Sequence, residues 1–454
     1  MWRWLERAAV ATDRAGGGLA LDIGLYALSA LFAGATAAGS TLAPHRAWGA
    51  VAAVGYGAAA LVASAQLVAR PRRMQGHPAR QIATVGCPSL QLARAGVAVA
   101  AWVATALVPL VIQAWQRAGG RIDRAQEEVL VIEDAGRRLV DAGTPYLDRA
   151  AIAAMPEPDR ILAYVPYQPG MATFGVPRAL DGSAAWWSDA RVWFALVTAV
   201  ALATALLTLR RAGAPAPALV RGLQVATVLP VCALTLATGG DDLPVLALCL
   251  LALALAARGR IGVAGLAVGA AAALKLFAWP VALVLGAHAA TRGRSAFVRY
   301  AVSAVAPTLI TLLPAALVDC GAVVENVVAF PLGRGLVTSP AQSPLPGHLI
   351  ATTLPAGRAI ATGLLLLAGA VIAVGLVRNP PRTSAAASLI CGYGLLAAVV
   401  LVPATRFGYL LYPAAFLVWA ASLRLPVPDD LEGDRYVVPL WHARGNGPGR
   451  TSGG

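Results

Sequence analysis

The sequence predicts an all-α, polytopic membrane protein with about twelve transmembrane helices. Hydrophobic residues make up 58% of the chain and charged residues only 13%. The apolar residues form many runs that approach the roughly 20 residues a helix needs to cross a bilayer, and short arginine-rich loops separate these runs. The net charge of +14 is therefore spread between apolar runs and does not form one patch, which favours membrane orientation over nucleic-acid binding.

The predicted spans lie near residues 18–38, 47–69, 95–115, 191–209, 222–238, 243–257, 261–274, 276–290, 297–317, 358–377, 385–402 and 408–423. If they alternate from a cytoplasmic N-terminus, five basic loops fall on one side: "ARPRRMQGHPAR", "LRRAGAPAPALVR", "ARGR", "TRGR" and "VRNPPR". Cytoplasmic loops carry an excess of Lys and Arg. The pattern predicts a multi-pass plasma-membrane protein with both termini in the cytoplasm.

Three regions follow from this pattern. Residues 1–93 hold a cytoplasmic start and two additional transmembrane helices, and residues 94–425 hold the membrane domain with a long outer loop at 116–190. Residues 426–454 form a cytoplasmic tail whose Gly/Pro-rich end predicts partial disorder. The polar, basic start and the near full-length run after it predict a retained first helix and no cleaved signal peptide.

Lys275 is the only lysine among 36 basic residues, and it interrupts the apolar run "AVGAAAALKLFAWPVALVLGAH". A charge in such a run is costly in a membrane. A lysine can snorkel to the interface, but a compact ammonium also suits a phosphate oxygen in a narrow pocket. Arg334 and Arg406 fall on the same predicted face, so we expect the three cations to bind a phosphate. The short segments 261–274 and 276–290 predict a tight helix pair joined at Lys275, or partly submerged helices buried by protein.

The long outer loop starts with "RAQEEVLVIEDAGRRLVDAGTPYL", residues 124–147. Its apolar residues have helical spacing and its start is acidic, which predicts an amphipathic helix on the membrane surface. The acidic residues are Glu127, Glu128, Glu133 and Asp134. They are either candidate catalytic carboxylates or the solvated face of this helix.

Aromatic residues follow in the same loop. Tyr164, Tyr167 and Phe174 could line a groove for a sugar or a lipid, or they could belong to an interfacial aromatic belt. The next stretch, "WWSDARVWF", predicts belt anchors at Trp186 and Trp187 and a local pair between Asp189 and Arg191.

Asp241, Asp242 and His348 are further candidates in other outer segments. Adjacent carboxylates can bind a divalent cation, but no third ligand accompanies the two aspartates, so a solvated turn is the favoured interpretation. His348 could assist at the site, although a histidine without a partner is most often incidental. We count all three, with Tyr164 and Tyr167, as lining a substrate groove. The five cysteines lack metal-site spacing, so we expect no cofactor and assign no metal ligands, while dependence on a divalent metal stays open.

With these residues placed, the chain resembles membrane glycosyltransferases of the GT-C fold, in particular the actinobacterial alpha-mannosyltransferases of glycosyltransferase family 87. The resemblance covers roughly residues 95–423. It rests on the large first outer loop with an acid near its start, on "GTPYL", "YVPYQP" and "TRFGYLLYP", and on the run "RGRIGVAGLAVGAAAALKLFAWP". It implies a GT-C-like fold in which the first outer loop is catalytic.

The resemblance also implies the chemistry. Such enzymes transfer a sugar, mannose in the resembling family, from a polyprenyl-phosphate donor to a glycolipid or lipoglycan acceptor on the extracytoplasmic face of the membrane. An Asp in the first outer loop is the base, and Glu128 falls at that position, with Glu127 and Glu133 as alternatives. This chain has Ile132 where the family has a Tyr. "LDIGLY" imitates the same motif, but its Asp22 falls near the cytoplasmic end of the first span and is rejected.

Two other classes of protein stay open. Twelve spans with both ends inside is also a transporter or flippase architecture, although the sequence has no obvious internal repeat of the kind many transporters show. The long acidic outer loop favours catalysis at the surface. A non-enzymatic partner in an envelope complex is the third interpretation, in which the Glu in place of Asp marks lost activity.

Overall fold

The computed structural model of the protein describes residues 15–69, 88–182 and 184–426. The first basic loop and the predicted disordered tail lie almost wholly outside these residues, and so does Cys87, one of the five cysteines. The α-helices, numbered in chain order, are α1 Leu19–Gly39, α2 Ala43–Val68, α3 Pro88–Trp102, α4 Val108–Ala118, α5 Glu127–Ala142, α6 Arg149–Ala154, α7 Arg160–Ala163, α8 Val176–Asp181, α9 Ala190–Arg211, α10 Ala216–Thr227, α11 Pro230–Thr238, α12 Asp242–Ala257, α13 Ile261–Leu274, α14 Ala278–Ala290, α15 Arg294–Val324, α16 Pro346–Thr353, α17 Gly357–Arg378, α18 Ser384–Leu401 and α19 Leu411–Ser422. Over the described ranges, the β-structure consists of one isolated bridge between Gln342 and Thr405.

Seven helical segments of the described residues are long and apolar enough to cross a membrane, or up to eight if a bent pair counts as one span. The seven are α1, α2, α3 continued by α4, α9, α15, α17 and α18, and the bent pair is α10 with α11, at 43° to each other. The apolar helices α12, α13, α14 and α19 are shorter. The predicted polytopic helical membrane protein is confirmed, whereas twelve complete crossings stay a prediction.

The two short helices around Lys275 form the predicted tight pair. α13 ends at Leu274, α14 begins at Ala278, and Lys275 between them has extended backbone angles of φ −154° and ψ 144°. The glycine-rich sequence of α13 lets it pack against the long helix α15, because a Cβ added at Gly269 would collide with the carbonyl of Ala304. Small residues permit this kind of close helix contact in membranes. The glycine run thus positions the helix that ends at Lys275.

The first two helices are joined to the others by buried polar contacts. The Asp22 carboxylate of α1 accepts hydrogen bonds from Arg94 of α3 at 2.6 and 3.0 Å and from Arg221 of α10 at 2.5 Å. The Tyr56 hydroxyl of α2 donates to the Val228 carbonyl at 2.5 Å. Asp22 therefore ties three helices together, in agreement with its rejection as a catalytic residue. The predicted boundary between residues 93 and 94 falls inside α3.

Helix α5 corresponds to the amphipathic helix predicted in the outer loop. Val129 and Ile132 are buried, Leu139 is half-buried and Val140 is exposed. The buried face packs against the 3₁₀ helix Pro169–Gly175 and against α8, which belong to the same loop. The apolar face of α5 is therefore covered by protein. The location of α5 at the membrane surface stays a prediction.

Candidate active site

Lys275 lies in a buried cluster of ionisable side chains. Its side chain is only 8% exposed, and its Nζ donates hydrogen bonds to Asp241 Oδ2 at 2.7 Å and to Asp242 Oδ1 at 2.5 Å. Both aspartates are buried, so their interpretation as a solvated turn is wrong. A buried ammonium needs close counter-charges to offset its desolvation. Here the ammonium has two carboxylates, which also rules out the snorkelling interpretation of Lys275.

Aromatic rings surround the Lys275 ammonium. The ring centroids of Tyr167, Tyr409 and Phe277 lie 5.3, 5.4 and 5.9 Å from Nζ. These distances are within the range of cation–π attraction, which is strongest where water is excluded. Tyr167 therefore lies in this cluster, as one of the residues that the sequence placed in a substrate groove.

Glu128 and Arg406 form an ion pair beside the Lys275 cluster. The Arg406 guanidinium bonds to Glu128 Oε1, and the two side chains are 35% and 13% exposed. The backbone carbonyl of Arg406 accepts a hydrogen bond from the Tyr409 N–H at 3.1 Å. Arg406 is thus one turn away from Tyr409, whose ring contacts the Lys275 ammonium. Glu128 is also in the first turn of α5, where the helix dipole favours a carboxylate.

Backbone hydrogen bonds hold the segments of this site together. The Gln126 N–H, just before α5, donates to the Thr238 carbonyl at 2.9 Å, close to the two aspartates. The Gln168 N–H donates to the carbonyl of Leu274 at 3.1 Å, next to the lysine. The site therefore joins five segments that are distant in sequence: 126–128, 167–168, 238–242, 274–277 and 406–412.

The other acidic candidates of the long loop at 116–190 have different environments. Glu133 is buried, and both its oxygens accept hydrogen bonds from Arg117, at 2.7 and 2.6 Å. Arg117 also bonds to Asp189 at 3.0 Å, and the predicted pairing of Asp189 with Arg191 is confirmed at 2.8 Å. Burial raises the pKa of Asp189, but the charges and hydrogen bonds of these two arginines outweigh burial and lower that pKa well below its usual range. Glu133 thus anchors the loop to α4, whereas Glu127 is exposed.

Arg334 and Tyr164 lie in a second cluster, which is built around Glu325. The Tyr164 hydroxyl donates to Glu325 Oε1 at 2.7 Å, and its ring stacks on Phe330 with 4.2 Å between centroids. Arg149 Nη1 donates to Glu325 at 2.9 Å and to the backbone carbonyl of Arg334 at 3.1 Å. The Arg334 side chain is exposed, and no contact among the described residues joins it to the Lys275 cluster. The structure thus brings two of the three predicted cations together.

His348 lies against the segment that carries Arg406. Its Nδ1 donates to the Pro403 carbonyl at 3.0 Å. The chain just before it pairs with the same segment through the bridge between Gln342 and Thr405. His348 therefore supports the backbone next to the ion pair, and its contacts are with that segment.

Three aromatic residues of the site were not identified from the sequence. Tyr412 donates its hydroxyl to Asp242 Oδ1 at 2.8 Å, and its ring stacks on Phe277 with 5.1 Å between centroids. The Tyr409 ring also contacts Phe277, with 4.7 Å between centroids. The spacing of the two tyrosines in "TRFGYLLYP" puts both on one helical face just after an arginine, which is the signal that indicates them.

The residues described here contain no group of three His, Cys, Asp or Glu side chains that could hold a metal ion. Asp241 and Asp242 are the pair with which a divalent cation would interact. In this structure the Lys275 ammonium bonds to one oxygen of each.

The fold and this site define a polytopic membrane protein with a buried charged site where α12, α13 and α14 meet. The sequence model of glycosyltransferase family 87 matches residues 164–403, more than half of the chain. The chain belongs to glycosyltransferase family 87 and is a membrane glycosyltransferase. A search of curated proteins and a search of solved structures gave no match. The matched range contains Asp241, Asp242 and Lys275, but it begins after Glu128 and ends before Arg406.

Proposed function

We propose that this membrane glycosyltransferase transfers mannose from a polyprenyl-phosphate donor to a hydroxyl of a cell-envelope glycolipid or lipoglycan, on the extracytoplasmic face of the plasma membrane. The observation that carries the proposal is the Glu128–Arg406 pair beside the Lys275 cluster. It combines a carboxylate that can accept a proton with a cation that can bind a phosphate. Membership of a glycosyltransferase family favours this function over transport.

The proposed reaction has one displacement step. Glu128 accepts the proton of the acceptor hydroxyl while that oxygen attacks the anomeric carbon of the donor. The bond from the anomeric carbon to the phosphate oxygen breaks, and the polyprenyl phosphate leaves with the electron pair. Arg406 stabilises the developing negative charge. Because a phosphate competes with Glu128 for the Arg406 guanidinium, donor binding also releases the carboxylate to act as a base.

Lys275 has a smaller role toward phosphate in this proposal than its sequence context suggests. Two carboxylates face its ammonium, and each has one oxygen bonded to Nζ. Only the third N–H of the ammonium is left for a phosphate oxygen. Its main role is to hold Asp241 and Asp242, and Asp241 is the second candidate for the base because it lies inside the family match.

The short helices give a reason for the depth of the site. α13 and α14 have 14 and 13 residues, which at 1.5 Å per residue makes each about 20 Å long. The hydrocarbon core of a bilayer is about 30 Å thick. We therefore place the Lys275 cluster below the outer surface, within reach of the phosphate of a membrane-anchored donor. In this arrangement the short helices complete twelve passes, and α5 covers the site at the surface.

The test uses membranes from cells that express the protein and membranes from a deletion strain. Both are incubated with radiolabelled polyprenyl-phosphate mannose, and label in glycolipid and lipoglycan is measured. We expect transfer only where the protein is present. Label transfer from polyprenyl-phosphate glucose, but not mannose, would reject the sugar assignment. Transfer from nucleotide mannose, with polyprenyl synthesis blocked, would reject the donor class.

A further inference from the structure

An open cavity of about 830 Å³ lies at the far ends of the helices that carry the candidate active site. Its lining residues are Thr291, Arg292, Arg378, Asn379, Pro380 and Arg382. α14 begins beside Lys275 and ends next to Thr291, whereas α18 begins after Arg382 and ends shortly before Arg406. The 18 residues of α18 make it about 27 Å long. The cavity and the active site are therefore at opposite ends of the same helices.

The three arginines of the cavity have no acidic partner among the residues that the structure describes. The sequence contains no Asp or Glu between Asp242 and Asp319, and none between Glu325 and Asp429. None of the three arginines takes part in an ion pair within residues 15–69, 88–182 and 184–426. A further basic loop, which contains Arg258, Gly259 and Arg260, adjoins these arginines. The Arg292 guanidinium lies 3.6 Å from the position that a Cβ on Gly259 would occupy.

Two buried polar atoms next to the cavity also have no hydrogen-bond partner among the described residues. His288 Nδ1 donates to the Pro381 carbonyl at 2.8 Å, but its Nε2 has no partner. Ser384, the first residue of α18, is 3% exposed, and its Oγ has none. Ser384 also belongs to a helix N-terminus, where free N–H groups favour an anion. The excess positive charge and the unpaired polar atoms thus occur together.

We propose that this cavity binds a phosphate group, carried either by an anionic lipid headgroup or by a soluble phosphorylated molecule. Guanidinium groups fit phosphate oxygens in a forked geometry, and three of them offset a full phosphate charge. Arginines in such loops also orient a membrane protein, but orientation needs no cavity and no convergence of two loops on it. The bound phosphate would link the loop after α14 to the loop before α18, and so join two helices whose other ends form the active site.

The test compares two double variants with the same change in charge. Arg378→Gln/Arg382→Gln alters the cavity, and Arg210→Gln/Arg211→Gln alters two exposed arginines at the end of α9, outside it. In one arm, the full-length protein in nanodiscs of phosphatidylcholine and phosphatidylglycerol is examined by native mass spectrometry for retained phosphatidylglycerol. In the other arm, the protein in phosphatidylcholine nanodiscs is titrated with inorganic phosphate and its thermal midpoint is followed.

We expect the cavity variant to lose affinity by about tenfold or more, equivalent to ~1.4 kcal/mol, while the control variant keeps the affinity of the unaltered protein. A loss in the phosphatidylglycerol arm alone identifies a lipid headgroup, and a loss in the phosphate arm identifies a soluble ligand. Equal losses in both double variants would overturn the proposal, because the effect would then be one of general charge. Absence of binding in both arms would overturn it as well.

Discussion

Arg406 and Glu128 are 278 residues apart in the sequence and form an ion pair in the structure. Glu128 belongs to the first turn of α5 in the long loop at 116–190, and Arg406 to the segment just before the last described helix, α19. The Tyr409 N–H bonds to the Arg406 carbonyl, and the Tyr409 ring contacts the Lys275 ammonium. The pair therefore connects the outer loop to the buried cluster, and the two ends of the membrane domain build the site jointly.

Glu128→Gln tests the base directly. Glutamine keeps the size of the side chain and can still hydrogen-bond to Arg406, but it does not accept a proton at neutral pH. We expect turnover to fall by about 10²–10⁴-fold, the usual contribution of a general base, while donor binding persists. The measurement is label transfer in membranes at matched amounts of folded protein.

Glu127→Gln is the matched control for this variant, because the two residues are adjacent and Glu127 is exposed. Its transfer rate is expected to stay within about twofold of wild type, as for most exposed substitutions. An active Glu128→Gln, together with an Asp241→Asn variant that keeps its thermal midpoint but is inactive, would move the role of base to Asp241.

Arg406→Gln tests the phosphate cation. A charge-assisted hydrogen bond contributes about 1.5–3 kcal/mol, so we expect kcat/KM for the donor to fall by about 10–100-fold. Arg406→Lys should recover part of the loss, because it restores the charge without the fork. Arg334→Gln serves as the comparison, since its exposed side chain lies outside the cluster. If Arg334→Gln has the larger effect on the donor, the phosphate lies in the Glu325 cluster.

The helices were largely predictable from the sequence. The segment predicted at 261–274 coincides with α13, and the one predicted at 191–209 lies within α9, because long apolar runs and turn residues are local signals. The number of complete crossings was harder to predict. Helices such as α12 are apolar on all sides because other helices bury them, and apolar composition alone does not separate a buried short helix from a full span.

The site was predictable only in part. Lys275 was identified because it is the only charge in its run, but its pairing with Asp241 joins residues 34 positions apart and depends on how α12 packs on α13. Glu133 and Glu128 have the same chemistry in the sequence. Only the fold shows that Glu133 forms a buried ion pair with Arg117, whereas Glu128 pairs with Arg406. Contacts between distant segments leave no local pattern in the sequence. An isolated charge in an apolar run, in contrast, can be seen directly.

Cys320 tests the orientation of the bundle. It is exposed and follows Asp319, where the backbone of α15 departs from helical angles. We expect an impermeant thiol reagent to label Cys320 in intact cells, because the basic loops at the other helix ends are predicted to be cytoplasmic. The control is Ser295→Cys in a Cys320→Ser background, which places the thiol at the opposite end of α15. It should be labelled only after permeabilisation, and the reverse pattern for the two thiols would invert the topology.

Lys275 tests whether the buried cluster is structural, catalytic or both. Lys275→Ala leaves two buried carboxylates without their cation, which costs about 3–5 kcal/mol when a buried pair loses one partner. We therefore expect this variant to unfold at a much lower temperature in detergent, and its loss of transfer would say nothing about chemistry. Lys275→Arg should recover little, because the larger planar group has to fit between the rings of Tyr167 and Tyr409.

A triple variant separates the two roles. Lys275→Met/Asp241→Asn/Asp242→Asn removes all three charges at once, and replacement of a complete buried ion pair by neutral groups of similar volume is often close to neutral for stability. We expect its thermal midpoint to return toward that of the unaltered protein, while sugar transfer falls by about 10–100-fold, because the ammonium N–H that is left for the donor phosphate is lost. The measurements are thermal unfolding in detergent and label transfer at equal folded protein. A triple variant that folds and transfers sugar at nearly the original rate would limit the cluster to a structural role, and Glu128 would then be the only candidate base of the site.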